Sequence, residues 1–249
     1  MPQWCSEPQR DPSGRCVVVV GAAVQAGWII AEQIADRGAS LVLADDDHGA
    51  LTRLAQHLED NFDTAVVTSQ RDITSVAAVD HIAQQALTIF GRVDALVVVA
   101  PGDRSLVSGP GCVADESDHQ IALIRRATLA VLPTMLAAGV GRVVYVVGGS
   151  ADGSLEQSID RAAARGAAHG VAVDLARQFA SCEVTFNVVD LTPGELSGPQ
   201  AHYAPTAAIV EFLVGDTSGF ANGQIFGLAT DICSRGSRNS AELTEFHRA

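Results

Sequence analysis

The stretch CVVVVGAAVQAGWIIAEQIADRG, Cys16 to Gly38, decides the fold. Cys16 to Val20 run without polar alternation, which reads as a strand covered on both faces. Gly21 to Gly27 form a glycine-bounded turn, and the apolar residues of WIIAEQIADRG recur at helical spacing until Gly38 closes the helix as a C-cap. Strand, turn and helix in that order are the first half of a βαβ unit.

The unit recurs along the chain. Further strands are read at Ser40 to Asp45 (SLVLAD), Thr64 to Ser69 (TAVVTS), Asp94 to Ala100 (DALVVVA), Arg142 to Gly148 (RVVYVVG), Glu183 to Asp190 (EVTFNVVD) and Gly223 to Leu228 (GQIFGL). Helices are read over about 49–60, 75–90, 115–138, 157–180 and 205–214. Apolar strands separated by helices need crossover connections, so the pattern predicts seven parallel strands with helices on both faces. That is one doubly wound, Rossmann-type α/β domain over residues 15–229, with polar, aperiodic tails at 1–14 and 230–249.

Composition narrows the partners. The 249 residues carry a formal net charge of −13, which excludes a broad electrostatic grip on nucleic acid. All 16 basic residues are arginine, so chemistry that needs a lysine amine is excluded as well. The five cysteines (Cys5, Cys16, Cys112, Cys182, Cys233) are scattered, with no metal-ligand spacing, which fits a reducing cytoplasm and no metal. The opening MPQWCSEPQRDPSGR lacks an apolar signal region, and no fully apolar run reaches the ~18 residues of a membrane span, so no membrane is expected.

In such a sheet the first strand-to-helix turn cradles a pyrophosphate at a helix N-terminus, here Gly21 to Gly27. Asp45 ends the second strand, where a carboxylate accepts ribose hydroxyls and repels a 2′-phosphate, favouring NAD over NADP. Its neighbours Asp46 and Asp47 read as an N-cap and a favourable charge at the next helix.

Taken in order, these landmarks resemble the short-chain dehydrogenase/reductase family over about residues 15–230. The family's T-G-x-x-x-G-x-G turn is similar to Val20 to Gly27, with Gln25 where the middle glycine belongs. Its adenine-holding pair after the third strand is similar to Asp72-Ile73. Its N-N-A-G falls on Val98-Val99-Ala100-Pro101-Gly102, without either asparagine. Ala130 to Val144 and Phe212 to Phe226 read like ordinary members. The resemblance implies NAD as cofactor, bound at Gly21, Gln25, Gly27, Asp45, Asp72, Ile73, Ala100 and Gly102, with Gln25 weakening or abolishing the site.

The resemblance also implies a tyrosine that moves the substrate proton, a lysine four residues later, a serine and a helix asparagine. Those positions hold Arg161, Arg165, Gly148 and Gln120. Arginine stays protonated and cannot replace the tyrosine. The two tyrosines, Tyr145 and Tyr203, lie elsewhere; Ser150 is near the serine position but supplies only a hydroxyl. His81, His119 and His169 are isolated in the sequence and read as helix-surface residues. His202 and Tyr203 fall where the family has a lid, within reach of a bound ligand for either one. Arg125-Arg126 reads as a solvated or interface-rim pair.

The expectation is therefore a degenerate family member: a non-catalytic or regulatory subunit in a homo-oligomer, or in a hetero-oligomer with an active paralogue. The resemblance places the subunit contact on the helices through IALIRRATLAVLPTML and GAAHGVAVDLARQFA. Two alternatives stand beside it. One is an NAD-dependent oxidoreductase for an alcohol or ketone with an atypical proton donor. The other is a non-redox enzyme, or a binder of a small anionic molecule around Arg161 and Arg165.

Overall fold

Valine supplies four of the five residues of the first strand, β1 (Cys16–Val20), and all five are buried. The strand is covered on both faces because its neighbours on each side carry helices. The computed structural model describes residues 14–69, 76–101, 113–148, 155–191 and 203–227. Within them β1 is followed by α1 (Gln25–Ala35), β2 (Ser40–Ala44), α2 (His48–Asn61), β3 (Val66–Ser69), α3 (Val76–Phe90), β4 (Ala95–Pro101), α4 (Val113–Ala138), β5 (Val140–Gly148), α5 (Leu155–Gln178), β6 (Glu183–Leu191), α6 (Ala204–Val214) and β7 (Ile225–Gly227).

The seven strands form one parallel sheet in the order β3-β2-β1-β4-β5-β6-β7, as the doubly wound reading requires. Alternate strand residues feed two apolar layers. Val18, Val98 and Tyr145 meet Ile82, Leu123 and Ala168 from α3, α4 and α5 on one face. Val19, Val97 and Val144 meet Ile30, Leu51 and Val210 from α1, α2 and α6 on the other. Strand order reverses between β1 and β4, so the ligand crevice lies beyond their carboxyl ends.

Strand ends differ from the sequence reading where side chains take over backbone partners. β3 starts at Val66 rather than Thr64, because the Thr64 hydroxyl donates to Ala39 O at 2.5 Å and its N–H to Phe62 O within a turn. β7 starts at Ile225 rather than Gly223: Gly223 has φ +72° and Gln224 N–H donates to the Asn187 side chain at 3.0 Å instead of extending the ladder, while Leu228 lies outside the described residues.

Within α4, Asp118–Ala138 is long and apolar enough, by length and composition alone, to cross a membrane. Its apolarity has a local explanation. Leu123, Ala127, Val131 and Met135 are buried on the sheet side, while Ile121 and Leu129 face outward beside α5.

The opposite pole of the sheet is pinned by charge. Asp94 accepts Cys16 N–H at 2.8 Å and pairs with Arg92 at 2.5 Å, while Arg15 pairs with Asp216 and donates to Val214 O. Asp94 is 8% exposed and Arg92 is 55% exposed, so the buried acid is held by one backbone donor and one solvated cation.

Candidate functional site

Two glycines shape the β1–α1 turn. Gly21 has φ +78°, and a Cβ there would lie 2.1 Å from Val99 O, inside any tolerable contact. A Cβ on Gly27 would lie 2.4 Å from Gly21 O and 2.9 Å from the Ala22 backbone, so the helix can close onto the turn only with glycine. Gly21 N–H donates to Ala44 O at 2.9 Å, which fixes the turn against the end of β2.

Asp45 lies directly after β2 and is fully buried. Its carboxylate accepts Ala23 N–H at 3.0 Å and Asp47 N–H at 3.2 Å, bracing the turn against the start of α2. Asp47 caps α2 by accepting Ala50 N–H at 2.9 Å. Val24 precedes α1 in extended conformation and provides no side-chain cap. The first-turn amides of Gln25, Ala26 and Gly27 thus have no intrahelical acceptor and no cap, which suits an anionic pyrophosphate. Gln25 is exposed at the first position of this helix. The residues present therefore fit a dinucleotide: amides at the turn for its phosphates, and an acid behind them.

Ala100 is the penultimate residue of β4, beside the same crevice, and is buried. Val98 and Val99, in the asparagine positions, are buried on opposite faces of the sheet, so packing takes the place of polar ties there. Asp72, Ile73, Gly102, Ser150 and His202 lie outside the described residues.

The four residues that the resemblance sets at the family's catalytic positions lie on three elements. Gln120 is buried on α4. Gly148 ends β5, paired with Pro101 on one side and Leu191 on the other. A Cβ at Gly148 would lie 2.6 Å from both Leu191 Cβ and Leu191 O. Arg161 and Arg165 follow one another by a turn on α5, the first half-buried and the second exposed.

Tyr145 lies in β5 and Tyr203 directly before α6, neither of them on α5. Tyr145 is fully buried in β5, its hydroxyl 2.7 Å from Thr128 Oγ1, and burial pushes its pKa well above the usual phenol value. Tyr203 is only 3% exposed and packs in the apolar layer with Ile30 and Val210, so the expectation that it reaches a ligand from a lid fails. It immediately precedes α6, whose apolar face carries the ring inward.

One pairing was invisible in the sequence. His169 Nε2 lies 3.0 Å from Asp190 Oδ1, with the two side chains 25% and 22% exposed. His169 sits one turn after Arg165 on α5, and Asp190 is the penultimate residue of β6. Far from being an isolated surface histidine, it is held by a carboxylate at the crevice end of the sheet. No spacing rule connects residues 21 positions apart on a helix and the strand after it.

Between α4 and α5 runs an apolar groove of about 220 Å³, lined by Ile121, Leu129, Leu132, Ala167, Val171 and Leu175, with Arg125 beside them. Leu129 is 60% exposed there.

Known proteins agree with this architecture. A dehydrogenase/reductase of CLA biosynthesis from Lactiplantibacillus plantarum is 38% identical over 88 residues, covering 35% of this chain and 30% of that protein. An uncharacterized oxidoreductase of Staphylococcus saprophyticus is 31% identical over 136 residues, covering 53% of this chain and 58% of its own length. The chain thus spans less than two thirds of either relative. Among solved structures, an NAD+-bound xylitol dehydrogenase superposes with a TM-score of 0.70 at 17% identity, covering 89% of this chain and 100% of that one. An L-sorbose reductase from Gluconobacter frateurii, complexed with NADPH and L-sorbose, has a TM-score of 0.66 at 18% identity, covering 87% and 95%. The family model for short chain dehydrogenase matches residues 15–203, and with three quarters of its length inside that match, this chain belongs to the short chain dehydrogenase family.

Proposed function

We propose that this chain is a nicotinamide-binding subunit of its family that no longer performs the tyrosine–lysine reaction. The observation that carries the reading is at Gly148. The space a serine side chain needs is occupied by Leu191, while arginines hold the tyrosine and lysine positions on α5. The dinucleotide end persists beside this loss. Its uncapped amides at Gln25 to Gly27 suit a pyrophosphate, and Asp45 behind them favours NAD over NADP; the nucleotide-bound solved neighbours support that ligand class. When bound, a nicotinamide supplies hydride chemistry. Gln25, exposed where the family has glycine, lowers the affinity without closing the site.

As a non-catalytic or regulatory subunit in a reducing cytoplasm, the chain works through the α4–α5 groove, pairing with a second copy or with an active paralogue. The experiment is calorimetric titration with NAD and NADP, together with assay of NADH oxidation by simple ketones. Weak NAD binding without turnover is expected. Turnover at an ordinary family rate, on the order of 1 to 100 per second, overturns the reading.

One observation favours a second reading, an oxidoreductase with a different proton donor: the carboxylate-held imidazole of His169 at the crevice end of α5.

A further inference from the structure

We propose that Arg165, His169 and Asp190 form a site for a 2-oxo acid or its 2-hydroxy acid, with His169 as its proton-transfer group. The inference rests on the second reading above and names its substrate class. The contact to Asp190 fixes which side of α5 faces the end of β6. Residues four apart on a helix share that side, so Arg165 lies above His169, about 6 Å along the axis, and Arg161 a further turn out. The register sets Asp190 opposite Val147 of β5 and Gly227 of β7, one residue below the level of Gly148. The row on α5 therefore begins level with the carboxyl end of β6 and runs along the helix towards its N-terminus.

The chemistry of the row is specific. A carboxylate behind an imidazole fixes the orientation of the ring, which is how a histidine is positioned for proton transfer. Here Nε2 donates to Asp190, and Nδ1 is left for a reacting group. Among the described residues the neighbouring strands add no charge beside Asp190: Val147, Gly148 and Gly227 flank it, and a Cβ on Gly227 would meet open space. One turn above, Arg165 is exposed, and a guanidinium binds a carboxylate through two parallel hydrogen bonds. A 2-oxo acid carries the two groups this pair addresses, a carboxylate for Arg165 and an adjacent carbonyl oxygen for His169. A bound reduced nicotinamide would supply the hydride to the carbonyl carbon, and Nδ1 of His169 would give its proton to the carbonyl oxygen. The products are the 2-hydroxy acid, the oxidised nicotinamide and a neutral imidazole, which regains its proton from water. Asp190 is a positioning residue and does not exchange a proton.

The test begins with NADH binding by fluorescence; failure to bind removes the second reading itself. With NADH bound, oxamate, an unreactive mimic of a 2-oxo acid, is titrated calorimetrically. The expected results are oxamate binding to the wild type, loss of it in Arg165→Gln, and its retention in His169→Gln. With pyruvate, 2-oxobutyrate and phenylpyruvate, His169→Gln should lower kcat about 100-fold with little change in KM, and Arg165→Gln should mainly raise KM. Added imidazole should restore part of the rate to His169→Gly, a rescue that a purely structural histidine would not show. NADH binding without oxamate binding, oxamate binding without turnover of any of the three acids, or a His169→Gln variant as fast as wild type overturns the proposal.

Discussion

Gly148 and Leu191 stand so close across β5 and β6 that a single added carbon at Gly148 would sit 2.6 Å from the Leu191 carbonyl oxygen. Glycine at this position is a packing requirement of the sheet end. Gly148→Ser should destabilise the fold by about 1–3 kcal/mol through overpacking. Leu191→Ala should not restore it, since the Cβ and the carbonyl oxygen of residue 191 both remain. Urea denaturation reads the difference, and a Gly148→Ser variant as stable as the wild type would show that β6 can yield.

Gly21→Ala should be more severe. The substitution places a methyl group 2.1 Å from Val99 O in a backbone conformation, φ +78°, that disfavours side chains. A loss above about 2 kcal/mol is expected in thermal unfolding, with loss of any dinucleotide affinity. Normal melting would contradict the turn geometry.

Burial pushes the Cys16 thiol up from an ordinary 9.0 to about 12, and the nearby Asp94 carboxylate acts in the same direction. Above pH 9.0 the unfolded chain releases this proton while the folded one keeps it, so stability falls as pH rises from about 9 towards 12. Cys16→Ala should flatten that part of the stability profile. Identical slopes in the two proteins between pH 8 and about 10 would remove Cys16 from the account.

Asp94→Ala leaves Cys16 N–H without its acceptor at a buried position and should cost about 1–3 kcal/mol. Arg92→Ala removes the same ion pair from its exposed side, where solvent screens it, and should cost no more than about 1 kcal/mol. Equal losses in equilibrium unfolding would mean that the ion pair, and not the backbone hydrogen bond, holds Asp94.

Leu129→Glu puts a charge into the α4–α5 groove at a residue 60% exposed in the isolated chain. On the proposed subunit contact, light scattering should give a dimer or tetramer for the wild type and a monomer for the variant. A wild type that is already monomeric refutes the pairing.

The sheet was legible because its strands are runs of buried, β-branched residues whose spacing leaves room only for crossover helices. Val17 to Val20 and Val143 to Val147 could hardly have been read otherwise. The glycines at 21 and 27 were legible for the same reason, as turn residues, although the atoms that demand them belong to Val99, Gly21 and Ala22. Long-range side-chain pairing was not legible. Asp45 reads as facing a ribose by sequence, and the structure shows its buried oxygens holding the N–H groups of Ala23 and Asp47. Gly148 read as a deleted serine until Leu191 appeared beside it. His169 read as surface because nothing local announces a carboxylate at the end of the next strand. Tyr203 lies just outside a helix by sequence, yet its ring packs inward with that helix.

Trp28 follows Gly27 directly, its indole N–H bonded to Glu32 at 3.1 Å and its ring 5.7 Å from His57. The chain contains one other tryptophan, Trp4. With Trp4→Phe, the emission of the protein would come from a single indole fixed to the helix that opens at the β1–α1 turn. An unlabelled optical probe of that turn is thus built into the sequence: occupancy of the turn, or loosening of α1 from α2, would register as a change in intensity or wavelength at one defined residue.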